Sequence, residues 1–145
     1  MIGEDRWRSN WRVVSPGGAV PMDVQRSASK RRTLRRRIRE LPTGTPVVLF
    51  GSAPGAMRRC RTFASKAGIE LEREYLAFPS ARAPGYLVED APGSVRTFVE
   101  TVLVAPPRTP LGTPIQLGLS ILRALSPWRS IRAIAPGRVF VGRRT

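Results

Sequence analysis

Four consecutive apolar residues, Val47-Val48-Leu49-Phe50, constrain the fold more than any other stretch of this chain. A strand-length run with no polar member cannot leave one face in water, so it belongs inside a sheet covered on both sides, the usual setting of a parallel strand. The turn Gly51-Ser52-Ala53-Pro54-Gly55 ends it. A helix is expected from Pro54, whose missing N–H costs nothing in a first turn, to Gly68, which accepts the left-handed conformation past a helix end. Met57, Cys60, Ala64 and Ala67 share one face of that helix, and Arg58, Arg59, Arg61 and Lys66 occupy the rest. Glu70 to Phe78 reads as the next strand, and Tyr86-Leu87-Val88 as a short extended piece. Behind Pro92, Val95, Phe98, Val99, Val102 and Leu103 follow core-facing helical spacing, with Asp90 as the expected cap. Ile115 to Leu125 reads as an apolar helix, Arg129 to Ile134 as a short basic-apolar helix or turn, and Arg138-Val139-Phe140-Val141 as a strand. Trp11-Arg12-Val13-Val14 also reads as a strand, closed by Pro16-Gly17-Gly18. Strands alternating with helices predict a small α/β layered domain.

Charge is unevenly placed. The 145 residues carry 25 Lys+Arg against 10 Asp+Glu, a net charge of +15. Residues 1–39 hold 11 basic and 3 acidic side chains, and residues 40–145 hold 14 and 7. Between Arg26 and Arg39 there are eight basic residues and no acid. Leu34, Ile38 and Leu41 recur at i, i+4, i+7, so an amphipathic helix is expected from about Val24 to Glu40. Like charges at i, i+4 (Arg31/Arg35, Arg32/Arg36) oppose that helix by ~0.2–0.5 kcal/mol each, a cost that an anionic partner would remove. Arg31, Arg32, Arg35, Arg36, Arg37 and Arg39 are therefore candidates for binding a polyanion, either nucleic acid or an anionic membrane surface. A solvated helix face is the plainer alternative. Residues 1–40 read as a basic strand/helix extension, and 41–145 as the α/β domain proper.

Residue usage excludes several chemistries. The chain has no histidine and one cysteine, Cys60. Ser52 and Ser80 therefore have no histidine base, no thiolate zinc cage can form, and no metal or cofactor is expected. Cys60 reads as a small core residue. The Gly51–Gly55 turn offers free N–H groups at a helix start, which suit an anion, so Gly51, Ser52, Gly55, Arg58 and Arg59 form a candidate anion site. The turn lacks the Gly-Lys-Ser/Thr ending of a phosphate loop and the third glycine of a dinucleotide fingerprint. Glu70, Glu72 and Glu74 would share one face of a regular strand, where arginine partners are a better expectation than catalysis. From Leu111 to Ile134, apolar residues mix with Trp128 and arginines, a pattern that serves core packing, a partner surface or an interfacial membrane contact. Leu117, Ile121, Leu125 and Trp128 are the candidates for contacting a partner protein or a second copy. No stretch reaches the ~18 apolar residues of a membrane span. The charged segment from Met1 to Trp11 has no apolar signal region, so a cytoplasmic protein is expected.

From Leu41 onward the signals run Leu41-Pro42-x-Gly44-x-x-Val47-Val48-Leu49-Phe50-Gly51, the step Ala67-Gly68-Ile69, Phe78-Pro79-Ser80, Pro84-x-Tyr86-Leu87-Val88 and Arg138-Val139-Phe140-Val141-Gly142-Arg143. This order resembles the C-terminal half of class I S-adenosylmethionine-dependent methyltransferases, particularly bacterial ones acting on sugars or lipid-linked glycans. In that family a glycine-bearing turn leads into the fifth strand and two antiparallel strands close the sheet. The resemblance implies a small, mostly parallel Rossmann-like sheet with flanking helices. The family holds its cofactor through a Gly-rich loop and an acidic residue in its other half, and no segment ahead of residue 41 is long enough to contain them. The resemblance thus implies a non-catalytic, methyltransferase-like accessory or scaffold protein that binds a partner, in a bacterial biosynthetic pathway. A nucleic-acid or polyanion-binding protein using the Arg-rich helix is the alternative.

Overall fold

In a computed structural model of the chain, residues 10–102 and 127–145 are described. They divide into two compact units, Met1–Leu87 with Ala135–Thr145, and Val88–Ile134. The elements in chain order are a 3-10 turn at Asn10–Val13, β1 (Val20–Asp23), α1 (Ala28–Arg39), β2 (Pro46–Ser52), α2 (Ala56–Ala67), β3 (Ile69–Phe78), β4 (Tyr86–Glu89), α3 (Pro92–Thr101), α4 (Pro127–Ile134) and β5 (Gly137–Arg144).

The strands form one open sheet in the order β1-β2-β5-β3-β4. Only β1 and β2 pair in parallel, with Val20 opposite Val47 and Asp23 opposite Phe50. β5 runs antiparallel to both of its neighbours, Phe140 lying opposite Leu49 on β2 and opposite Glu74 on β3. The mostly parallel Rossmann-like sheet expected from the sequence is therefore incorrect: the sheet is mixed, with one parallel pair and the rest antiparallel. The physical reason lies in β5. Val139, Phe140 and Val141 are buried on both faces because β5 is wedged between β2 and β3, and central position makes an antiparallel strand as apolar as a parallel one.

Alternation along β2 distributes the core of the larger unit. Val47 and Leu49 point to one face, where they meet Met22, Ile38 of α1, Cys60, Phe63 and Ala64 of α2, and Phe140. Val48 and Phe50 point to the other, with Tyr75, Ala77, Val139 and Val141. Both long helices thus cover the same face. Trp11, Val14, Ala19 and Leu87 pack on the opposite one, and the Trp11 ring meets Phe50 edge-on at 5.7 Å between centroids.

One local expectation changes here. Trp11–Val14 is no strand: Asn10–Val13 forms a 3-10 turn that places the indole over the sheet, and the strand is Val20–Asp23. Met22, Val24 and Ile38 join the core cluster of the larger unit. α2 closes as expected at Gly68, whose φ of 69° permits a backbone N–H bond back to Ala64 O.

In the smaller unit α3 packs against α4, and Val95, Phe98, Val99 and Ile131 are buried. Asp90 does not cap α3, whose N-cap is Ala91. Its carboxylate, 3% exposed, instead accepts hydrogen bonds from Trp128 Nε1 at 2.8 Å and Arg132 Nε at 2.9 Å, with the Arg132 guanidinium stacked on the Trp128 ring. Trp128, expected at a partner surface, is thus half-buried in this arrangement. Leu117, Ile121 and Leu125 lie outside the described residues. No helix among the described residues is long and apolar enough to cross a membrane.

Candidate polyanion-binding cleft

α1 and α2 lie side by side on the sheet because each has one apolar stripe to bury. On α1 the stripe is Leu34 and Ile38, continued by Leu41 past the helix end; on α2 it is Cys60, Phe63, Ala64 and Ala67. The rows flanking those stripes are basic, and the two helices turn them toward each other. Between them is a cleft of about 340 Å³ lined by Arg31 and Arg35 of α1, by Arg58, Arg59, Thr62, Phe63 and Lys66 of α2, and by Gly55. No carboxylate is among these lining residues.

The cleft merges candidates that were separate in the sequence. Arg31 and Arg35 came from the Arg-rich helix, and Gly55, Arg58 and Arg59 from the βα turn. Lys66 and Thr62 were not singled out, although the spacing Arg58, Thr62, Lys66 (i, i+4, i+8) marks one helical row. Arg32, Arg36, Arg37 and Arg39 are exposed on α1 outside the cleft. Gly51 is buried within β2, where a Cβ would lie 2.7 Å from Cys60 Sγ, so its role is close packing of α2 on the strand. Ser52 is exposed, and its carbonyl is already taken by Arg59. Gly55 stands at the N-cap of α2 with a φ of 73°, a conformation that L side chains rarely adopt.

The five cations fall into two groups. Arg59 donates from Nε to Val24 O at 3.0 Å, from Nη1 to Pro54 O at 3.1 Å and from Nη2 to Ser52 O at 2.6 Å. Arg31 donates to Gln25 O at 2.8 Å and also to Arg26 O. These two guanidinia satisfy carbonyls at and beyond the ends of β1 and β2 and are fixed by them. Nearby, Arg26 does the same for Ala53 O at 2.8 Å. Arg35, Arg58 and Lys66 have no hydrogen-bond or ion-pair partner among the described residues. The site therefore combines two anchored positive charges with three that have no counter-ion among the described residues, a setting that concentrates anions. Phe63 supplies apolar wall but is 3% exposed, its ring packed in the core.

Two of the three β3 glutamates, Glu72 and Glu74, are engaged. The regular row of Glu70, Glu72 and Glu74 does not form, because a bulge between Leu71 and Arg73 shifts the alternation. Glu74 takes a two-pronged bond from Arg61 at 2.7 and 2.9 Å, and Glu72 pairs with Arg143 at 2.7 Å. Burial pushes the Cys60 thiol up to about 12, against the opposing pull of the Arg59 charge. It is a protonated core residue and not a nucleophile at neutral pH. No group of three or more metal-ligating side chains occurs among the described residues. The chain matches no family model, and comparison with curated proteins and with solved structures finds no significant match.

Proposed function

We propose that this chain binds the phosphate backbone of nucleic acid through the cleft between α1 and α2. One observation carries the reading: five cationic side chains from two helices line a single cleft, and three of them have no protein partner among the described residues. Arginine favours phosphate because its planar fork donates two hydrogen bonds in fixed geometry. The role is one of binding and not of catalysis, in the cytoplasm.

The test is fluorescence anisotropy with a labelled DNA 20-mer between 50 and 200 mM salt. Replacing Arg35, Arg58 and Lys66 together by serine should weaken binding at least ten-fold at 100 mM salt. It should also flatten the salt slope by about 2 to 3, at ~0.7–0.9 for each phosphate no longer neutralised. Wild-type affinity that ignores salt, or a triple variant that binds like wild type, refutes the reading.

A second reading is a methyltransferase-like accessory protein that docks on a partner protein or on a second copy. It rests on the order of sequence signals from Leu41 onward and not on the sheet, in which β5 is central and antiparallel to both neighbours. Light scattering that finds only a monomer, indifferent to every candidate partner, would count against it.

A further inference from the structure

Resting on the nucleic-acid reading, we infer that the site takes a duplex and not a single strand, and that it does so without reading bases. The basis is a second cationic row beside the cleft. At 100° per residue, Arg31 and Arg35 lie within about 40° of each other at the cleft rim. Arg39, Arg32 and Arg36 follow at about 80°, 100° and 140°, along the exposed crest of α1. Arg32, Arg36 and Arg39 have no hydrogen-bond or ion-pair partner among the described residues. The two rows run side by side along one helix, with charges about 6 Å apart at each i, i+4 step.

One phosphate strand satisfies one such row. A duplex presents two strands flanking a groove and can neutralise both. Single-strand binders add aromatic platforms on which bases stack. The one aromatic residue in this cleft, Phe63, is 3% exposed and offers no ring face. What the surface offers is charge and the Thr62 hydroxyl, which address a backbone and not base edges.

Six cations without partners among the described residues, three in the cleft and three on the crest, set the expected salt dependence. For a 20-bp duplex the slope of log K against log salt should be about −5, a loss of roughly 10³-fold between 50 and 200 mM. For the 20-nucleotide single strand, which engages the cleft row alone, it should be about −2, a loss of roughly 20-fold. Replacing Arg32, Arg36 and Arg39 by serine should cut the duplex slope by about 2.7 and the single-strand slope by less than 1. Two duplexes of unrelated sequence should bind within two-fold of each other. All of this is read by anisotropy on the full chain, with far-UV circular dichroism checking that the variants stay folded. Equal slopes for duplex and single strand, or a crest variant that weakens both alike, overturns the duplex inference and leaves the nucleic-acid reading standing. Absence of binding to either probe at 50 mM salt overturns both.

Discussion

Ile38 is the one buried residue of α1, at 0% exposure, and it decides whether the basic helix is part of the core. Ile38→Ala deletes three carbons, forfeiting about 2.4 kcal/mol of transfer free energy at ~0.8 kcal/mol per carbon. The void left among Met22, Val47, Leu49 and the facing residues of α2 adds to this, at ~24 cal/mol per Å³ that does not collapse. A total of about 3 kcal/mol results, within the ~2–5 kcal/mol range of such truncations. With an m-value of ~1.5 kcal/mol/M, the urea midpoint followed by circular dichroism should fall by about 2 M. Leu34→Ala, at a partly buried position of the same stripe, should cost about 1 kcal/mol. Loosening α1 also moves Arg31 and Arg35 away from Arg58 and Lys66, so Ile38→Ala should weaken nucleic-acid binding although no charge is removed. A stability loss below ~0.5 kcal/mol, the level of an exposed position, would refute the placement of α1 in the core.

Further outcomes test the packing on the two faces of the sheet. A Cβ on Gly137 would fall 2.3 Å from Ala81 N, against backbone that cannot turn aside, so Gly137→Ala should lower stability by about 3 kcal/mol or more in a thermal melt. Gly17→Ala, with open space around it, should stay within ~0.5 kcal/mol. Cys60 should resist a thiol reagent at pH 8 in the native protein and react fully in denaturant. Its pKa rises from 9.0 to about 12 on folding, so the stability it contributes is intact below pH 9 and is lost as pH climbs toward 12. The decline, at ~1 kcal/mol per pH unit, should be shallower in Cys60→Ala by that amount.

The elements that sequence periodicity marks are those whose two faces differ or whose both faces are covered. β2, α2 and the stripe of α1 are of this kind, and each lies where its apolar residues require. β1 was not legible because Pro21 and Asp23 interrupt Val20-Pro21-Met22-Asp23, and such a segment is tolerated as a strand at the sheet edge, where β1 sits. Trp11-Arg12-Val13-Val14 has better strand chemistry, but tertiary context overrides it: the indole covers Phe50 from a 3-10 turn. The direction of β5 could not be read at all, since an apolar run reports burial and carries no information on polarity. The bulge at Glu72 is equally silent in the sequence, yet it turns Glu74 to the helix face, where it engages Arg61.

The same limit applies to the arginines, and it bears on function. Summed charge treats Arg26, Arg31 and Arg59 as equivalent to Arg35, Arg58 and Lys66. The structure divides them by what they touch. The first three bind backbone carbonyls at and beyond the ends of β1 and β2, and removing Arg31 or Arg59 leaves a partly buried carbonyl, Gln25 O or Val24 O, short of a donor. The second three meet no protein acceptor among the described residues, so removing one relieves repulsion and costs the fold little. Arg59→Ala and Arg58→Ala therefore carry the same charge change with different consequences. The first should lower stability by about 1–2 kcal/mol, allowing for its half-exposed position. The second should leave stability within ~0.5 kcal/mol and weaken anion binding alone. Equal effects of the two on melting temperature would mean that the basic cleft is not divided between anchored and available charge.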